Sequence, residues 1–421
     1  MTRRRRGYTA QDPGARKDDG PDDPLFQGRL HLSWSGGRLG LAAPHSVFSS
    51  QRIDDGTLLL LENLGAGSPR NFLDLGCGYG ALGLSVAARF PEARGLLVDR
   101  DLLAVNYARL NAAAEGIGNV EVLPGLGYDR IPPKLLPFDR ILANIPARAG
   151  GRVFEHFIDG GLRRLAPGGD LRLVVIAPLA EAVAGAAARI GLAAEQVAAT
   201  ARHAVFAIHA GPGGTAGLPA AEPGEELYLR DTIDLELPER LRLDRPTDLA
   251  DEPHRLGTAI PLLAENLPSE APERILVFRP GYGLVAALAL ARWPRASVTA
   301  VDRDLLAAAY TRRNCAAVAD RIRVIEALGI GGAAEGRPYD LVLGELSAPV
   351  GPRAMVREIE EAGAVLASGG RALIIGFHRH WKEFLRERGR HLGLRLLAAR
   401  GPMALLELRG PAARAAPEVR P

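Results

Sequence analysis

A chain of 421 residues is long for one domain and comfortable for two, and a hydrophobic content of 47% with 24% charged residues allows sizeable cores. No stretch approaches the roughly 18 consecutive apolar residues of a membrane-crossing helix, and the charged N-terminus lacks the apolar run of a signal peptide. Two cysteines, Cys77 and Cys315, give neither a disulfide framework nor a zinc ligand set, so a reduced, cytoplasmic setting is the default expectation. The net charge of +3, with a pI near 9.0, permits an anionic partner without demanding one.

In chain order, residues 1–26 read as a polar, disordered tail. Its Arg3–Arg6 run suits either an RNA contact or plain solvation. Lysine occurs only at Lys17, Lys134 and Lys382, so arginine supplies nearly all the positive charge. Arginine suits phosphate, but a composition rich in Arg, Ala, Gly and Pro explains it equally. Leu30–Trp34 and Arg38–Leu41, either side of a Ser-Gly-Gly turn, predict a β-hairpin. Asp54 or Asp55 is expected to cap a helix through the apolar run Leu58–Leu64. Then comes Asn71-Phe-Leu-Asp-Leu-Gly-Cys-Gly-Tyr-Gly80, an apolar strand running into a glycine-rich turn, followed by a helical pattern from Ala81. Glycines there let backbone approach a ligand closely. Asp74 sits near the carboxyl end of that strand, where open α/β sheets bind ligands. Asp99 closes the next apolar run, placed to accept the hydroxyls of a ribose.

Further elements alternate: helix 101–115, strands 119–123 and 138–143, helix 151–165, strand 171–176, helix 179–190 and a closing strand 203–208. Such alternation implies a parallel, doubly wound sheet. Residues 211–227 read as a linker, Gly- and Pro-rich over 211–224. Beyond it the chain repeats itself. Val98-Asp-Arg-Asp-Leu-Leu-Ala104 recurs as Val301–Ala307, an offset of 203 residues, and Gly78-Tyr-Gly80 and Glu62-Asn-Leu64 recur at the same offset. Two copies of one fold are therefore expected, over 27–210 and 228–409, with a short tail at 410–421. The copies are unequal. Asp74, Gly76 and Cys77 become Val277, Arg279 and Pro280, while Asp302 survives where a helix N-cap would do. The second copy is therefore expected to bind no cofactor, which leaves it stability or substrate placement.

Two cofactors fit the first copy. Gly78-Tyr-Gly80-Ala-Leu-Gly83, with an acid about 20 residues on, is a formal dinucleotide fingerprint. Against that reading, a carboxylate precedes the glycines. The string Leu73-Asp-Leu-Gly-Cys-Gly-Tyr-Gly80 resembles motif I of the class I S-adenosylmethionine-dependent methyltransferases. Asn144-Ile-Pro146, ending the fourth strand, resembles their motif IV for planar amines, with Ile145 at the first proline and Ala147 at the aromatic. Read alone, it simply terminates a strand. Together with Val47-Phe-Ser49 and Asp55-Gly-Thr57, the pattern resembles the methyltransferase small domain family, which includes tandem ribosomal-RNA guanine methyltransferases.

The resemblance implies two tandem Rossmann-like domains, each a doubly wound, mostly parallel seven-stranded sheet with an N-terminal β-hairpin extension. It also implies S-adenosyl-L-methionine as cofactor, held by Asp74, Gly76, Cys77, Gly78 and Gly80 and, at the second strand, by Asp99 and Arg100. Phe48 is implied as lid and Thr57 as a neighbour of the cofactor carboxylate. Read alone, Phe48 is core and Thr57 a helix-start residue. Asn144 and Pro146 are implied as catalytic, with Asn144 also at the cofactor. The expected reaction is methyl transfer to the exocyclic amine of an RNA guanine. A small-molecule or protein amine, or a non-catalytic cofactor-binding or assembly role, stands as the alternative. The intact copy comes first here, whereas the best-known tandem members carry it second. Partners are expected to be RNA or a ribosomal particle, with no membrane and no metal. The duplicated domains can pack as an internal pseudo-dimer, which predicts a monomer. No H-E-x-x-H, G-x-S-x-G or phosphate-loop motif occurs, and the nine histidines do not cluster at metal-ligand spacing.

Overall fold

The computed structural model describes residues 9–11, 23–146, 148–211, 224–249, 255–333, 336, 338–346 and 351–411. Arg3–Arg6, Ala147, Ser347, most of the linker and the final residues lie outside these. Contacts divide the chain into two compact units, Met1–Leu229 and Arg230–Pro421.

The first unit opens with a three-stranded antiparallel sheet of β1 (Thr9–Gln11), β2 (Phe26–Trp34) and β3 (Gly37–Pro44). The tail expectation is corrected at β1, whose residues pair with His31–Ser33 of β2. Nothing in three polar or small residues signals a strand, because the edge of β2 supplies the partner groups. The main sheet follows, with β4 (Asn71–Leu75), β5 (Arg94–Asp99), β6 (Val120–Pro124), β7 (Phe138–Asn144), β8 (Leu165–Ile176), β9 (Ala194–Ala199) and β10 (His203–His209). Their spatial order is β6-β5-β4-β7-β8-β10-β9. All pairings are parallel except those of β10 with β8 and β9. The helices are α1 (Asp55–Glu62), α2 (Ala81–Arg89), α3 (Leu102–Ala114), α4 (Gly151–Leu162) and α5 (Ala180–Arg189). Edge strand β9 was not foreseen, since its Ala-Glu-Gln-Val-Ala-Ala sequence is largely exposed and carries no apolar alternation. Helix α4 stops at Leu162, short of the expected 165, because Leu165 already begins β8.

Successive residues of a strand face opposite sides of the sheet. Leu73, Leu75, Ile141, Ala143, Leu171 and Leu173 form one core with Phe154, Ile158 and Leu162 of α4 and Val183 and Ala187 of α5. The alternate residues Phe72, Asp74 and Leu142 are also buried, so both faces are covered, as a largely parallel sheet requires. Asp74 pairs in register with Leu142, which puts Asp74 and Asn144 on one face of neighbouring strands. The chain runs outward from β4 to β6, then crosses back to β7. The reversal point therefore lies between the carboxyl ends of β4 and β7, the place where such sheets bind ligands.

The second unit repeats the plan. A two-stranded β11 (Leu229–Glu236) and β12 (Arg240–Pro246) precede α6 (Ile260–Glu265), β13 (Arg274–Phe278), α7 (Leu284–Arg292), β14 (Ser297–Asp302) and α8 (Leu305–Asn314). Then follow β15 (Ile322–Glu326), β16 (Tyr339–Glu345), α9 (Pro352–Ala364), β17 (Leu366–Phe377), α10 (His378–Phe384), β18 (Arg395–Arg400) and β19 (Met403–Arg409). The order β15-β14-β13-β16-β17-β19-β18 matches the first sheet strand for strand. The expected linker is corrected at its end: Gly224–Tyr228 forms a 3-10 turn in which Leu227 and Tyr228 are buried. Among the described residues, no helix is long and apolar enough to cross a membrane.

Candidate active site

The turn after β4 is built by backbone. Gly76 and Cys77 both donate to the Val98 carbonyl, at 2.8 and 3.0 Å, which folds the chain tightly over the end of β5. Gly76, Gly78 and Gly80 hold φ of +78°, +56° and +96°, a region that favours glycine. A Cβ on Gly76 or Gly78 would meet no heavy atom within 4 Å, so both backbones face open space. On Gly80 it would stand 2.7 Å from Leu84, so that glycine serves packing.

Two carboxylates flank this cradle. Asp74 is 1% exposed; its Oδ2 accepts the Gly83 N–H at 2.7 Å, and among the described residues its Oδ1 has no hydrogen-bond partner. Burial pushes its pKa up to about 7, the Gly83 bond opposes this, and Asp99 adds to it. Asp99 accepts the Gly78 and Asp101 amides at 2.8 and 2.9 Å, which hold its carboxylate at the end of β5. Arg100 is half-buried beside it. Cys77 is buried, and burial, with Asp99 and Asp74 adding to it, raises its thiol well above the usual range. It stays a neutral lining group. A cationic nucleoside cofactor fits this set: open backbone at two glycines, on one side an acid with one oxygen unpartnered among the described residues, and on the other an acid at the second strand.

Across the reversal point stands Asn144. Its Nδ2 donates to Asp54 Oδ2 at 2.9 Å and to Thr57 Oγ1 at 3.1 Å. A carboxylate only accepts, so this pairing assigns which end of the amide is nitrogen. Oδ1 is left without a protein partner among the described residues. Asp54 also caps α1, with the same Oδ2 accepting the Thr57 N–H at 3.2 Å. Asp54 is therefore the cap that the sequence left open between two acids. Pro146 is exposed, and its carbonyl accepts the Ala149 N–H at 3.1 Å.

Phe48 is 74% exposed, which rules out the core reading. It lies on a loop tied to the glycine turn, where the Tyr79 hydroxyl donates to the Ser49 carbonyl at 3.1 Å. Thr57 is buried against Asn144 as well as starting α1. Two residues were not among the expected site residues, although Gly83 closed the glycine pattern. Gly83 faces Asp74, and buried Asn111 ties the Ala42 backbone to the Tyr79 carbonyl. The repeat held a signal for the second, because Asn314 and Tyr282 stand 203 residues on and make the same bond, at 2.7 Å.

In the second unit the turn keeps its shape but not its surface. Arg279 adopts φ +52° and donates its N–H to the Val301 carbonyl at 2.9 Å, as Gly76 does in the first. Its guanidinium pairs with Glu358 of α9. Val277 is fully buried where Asp74 would be, and Ala286 replaces Gly83.

A doubly wound sheet with an acid-flanked glycine cradle at its reversal point defines a nucleoside-cofactor domain. The model of the methyltransferase small domain family matches residues 38–208 and 254–387, and the chain belongs to that family. It is 37% identical over 158 residues to a Pseudomonas aeruginosa (strain LESB58) protein named ribosomal RNA small subunit methyltransferase C, covering 37% of this chain and 46% of that one. A Pseudomonas fluorescens protein of the same name is 39% identical over 142 residues, covering 33% of this chain and 42% of the relative. The match thus spans about half the length of these curated relatives or less. Among solved structures, a T. thermophilus 16S rRNA methyltransferase (RsmC) in complex with AdoMet and guanosine superposes with a TM-score of 0.67. That pair is 17% identical and the match covers 92% of this chain and 99% of the other, so the likeness is one of fold, across both units.

Proposed function

We propose that this chain is an S-adenosylmethionine-dependent methyltransferase whose first unit transfers methyl to the exocyclic amine of a guanine in ribosomal RNA. The observation that supports this reading is the pairing of Asn144: its amide nitrogen donates to Asp54 and Thr57, and its oxygen is left without a hydrogen-bond partner among the described residues, on the same sheet face as Asp74 at the end of the neighbouring strand. The names of the curated relatives, and the guanosine held by the solved one, support the substrate class.

When bound, the cofactor supplies an electrophilic methyl group on a sulfonium. The chain's own task is then to bind and align. Asp74 would take the cofactor's ammonium on its unpartnered oxygen, and Asp99 the ribose hydroxyls, with Gly76 and Gly78 giving backbone access. Phe48 and Thr57 are assigned beside this cofactor site and Arg100 next to Asp99. Asn144 Oδ1, with the Ile145 carbonyl, would accept hydrogen bonds from the acceptor amine and turn its lone pair toward the methyl. Pro146 holds the end of β7 at that point. The acceptor amine would gain the methyl and release one proton to solvent, with the electron pair of the broken sulfur–carbon bond retained on the cofactor side. The reading carries with it a monomeric, metal-independent, cytoplasmic enzyme.

Labelled S-adenosylmethionine and ribosomal RNA or small-subunit particles test this directly, with nucleoside analysis for the methylated base. Calorimetry is expected to show one cofactor per chain. Asn144→Ala should leave cofactor affinity within a few-fold while kcat falls roughly a hundredfold, because the lost bond belongs mainly to the transition state. Cofactor binding without transfer to RNA would favour a non-catalytic or small-molecule role. Two equal cofactor sites would overturn the assignment of the second unit.

A further inference from the structure

We propose that Asp54 is a positioning residue for the acceptor, fixing the Asn144 amide so that Oδ1 and not Nδ2 faces the amine; this rests on the function proposed above. A cap alone does not require what is built here. One oxygen of Asp54 accepts both the Thr57 N–H at 3.2 Å and Asn144 Nδ2 at 2.9 Å, across 90 residues of chain. Thr57 Oγ1 accepts from the same Nδ2 at 3.1 Å. Turning the amide over would set its oxygen against the Asp54 carboxylate, which can only accept, while the Thr57 hydroxyl could adapt by donating. Gly56 belongs to the device as well, since a Cβ there would stand 2.7 Å from Asp54 Oδ2.

The repeat separates fold from function at this point. Contacts that only hold the fold persist in the second unit. Asn63 and Asn266 each donate to a carbonyl four residues back at 2.8 Å, and Asn111 and Asn314 make matching bonds. The Asp54 group does not persist. Its places are taken by Gly257, Ala259, Ile260 and, at the end of β16, Glu345. Helix α6 starts without a side-chain cap, behind a π-helical turn at Arg255–Ala259. All four positions differ in the same copy that has Val277 and Arg279 at the places of Asp74 and Gly76. A helix cap has no reason to disappear along with a cofactor acid, whereas a member of the site does.

The test uses the full chain with Asp54→Ser, Asp54→Asn and Thr57→Val. Serine keeps a cap for the Thr57 N–H but is too short to reach Asn144, and asparagine offers one oxygen to both donors. Asp54→Ser should keep cofactor Kd and Tm near those of the parent while kcat on guanine in ribosomal RNA falls roughly ten- to a hundredfold at little-changed KM. Asp54→Asn should restore most of the rate, and Thr57→Val should fall between. Parent turnover by Asp54→Ser overturns the proposal. If the parent itself fails to methylate ribosomal RNA, the function proposed above fails separately. The orientation is then read from the Asn144 side-chain amide by NMR, assigned against Asn144→Ala. Its protons should exchange slowly in the parent and in Asp54→Asn, and fast in Asp54→Ser. An unchanged signal in Asp54→Ser overturns the proposal whatever the substrate. If Asp54→Ser does not fold, Thr57→Val decides by the same two readouts.

Discussion

Asp74 and Gly83 are pressed together: Asp74 Oδ2 accepts the Gly83 N–H at 2.7 Å, and a Cβ on Gly83 would stand 2.7 Å from that same oxygen. The bond fixes one oxygen of the acid, and the other has no hydrogen-bond partner among the described residues, as the proposed ammonium contact requires. Gly83→Ala is therefore expected to displace the carboxylate and crowd Leu97, at a cost of about 1–3 kcal/mol in stability. Asp74→Ala should weaken S-adenosylmethionine about ten- to over a hundredfold, the usual loss for a charge-assisted bond of about 1.5–3 kcal/mol. Calorimetric titration and thermal melts of both variants check this.

The raised pKa of Asp74, about 7, makes cofactor affinity depend on pH near neutrality. Below that value the acid is neutral and offers no charge to an ammonium. Affinity should rise from about pH 6 to 8, and Asp74→Asn should flatten the profile. Stability without ligand runs the other way. A carboxyl whose folded pKa exceeds its ordinary value of 3.8 stabilises most below that value. The contribution is lost as pH rises to about 7, because the folded state binds the extra proton. Parent and Asp74→Asn melts across pH 4 to 8 should diverge in that window.

Arg279 and Glu358 form a part-buried ion pair at the second unit's counterpart of the glycine turn. Burial raises the Glu358 pKa, and Arg279 and Arg303 oppose the shift. Arg279→Met keeps volume but strands that acid, at an expected cost of about 1–3 kcal/mol to the second unit at neutral pH. The loss should shrink in acid, where Glu358 takes up a proton. No second cofactor site should appear, since Val277 supplies no carboxylate. Scanning calorimetry at two pH values, with a cofactor titration, reads all three outcomes.

Asn111 satisfies three backbone groups at once: the Ala42 N–H and carbonyl, at 2.8 and 2.9 Å, and the Tyr79 carbonyl at 2.9 Å. Asn111→Ala leaves these without their partner inside the first unit. Unmade buried bonds cost about 1–3 kcal/mol each before relaxation, so a loss of roughly 2–4 kcal/mol is expected. Asn314→Ala should do the same to the second unit, through Asp244 and Tyr282. Only the first variant should also weaken cofactor binding, because only that turn forms a cradle.

Much of this protein was legible in one dimension. Apart from β1 and β9, the strands and helices of the first unit follow from runs of apolar residues and their periods. The doubling follows from identities at a single offset, and the glycine turn between Asp74 and Asp99 from local spacing. All of these are short-range patterns, written within one element or copied whole. What the sequence could not show were contacts made by topology. Asp54 reaches Asn144 across 90 residues because α1, which it caps, packs against β8 and β10 on the β7 side of the sheet, and linear order does not specify which strands a helix will cover. Arg279 meets Glu358 across 79 residues because α9 packs over the end of β13's turn. Thr9–Gln11 becomes a strand only because β2 offers an unpaired edge. Chemistry at the strand ends was announced by residue type. Which end of the Asn144 amide and which oxygen of Asp74 are left over depends on the acceptors the fold brings to one and the donor it brings to the other, and packing alone decides that.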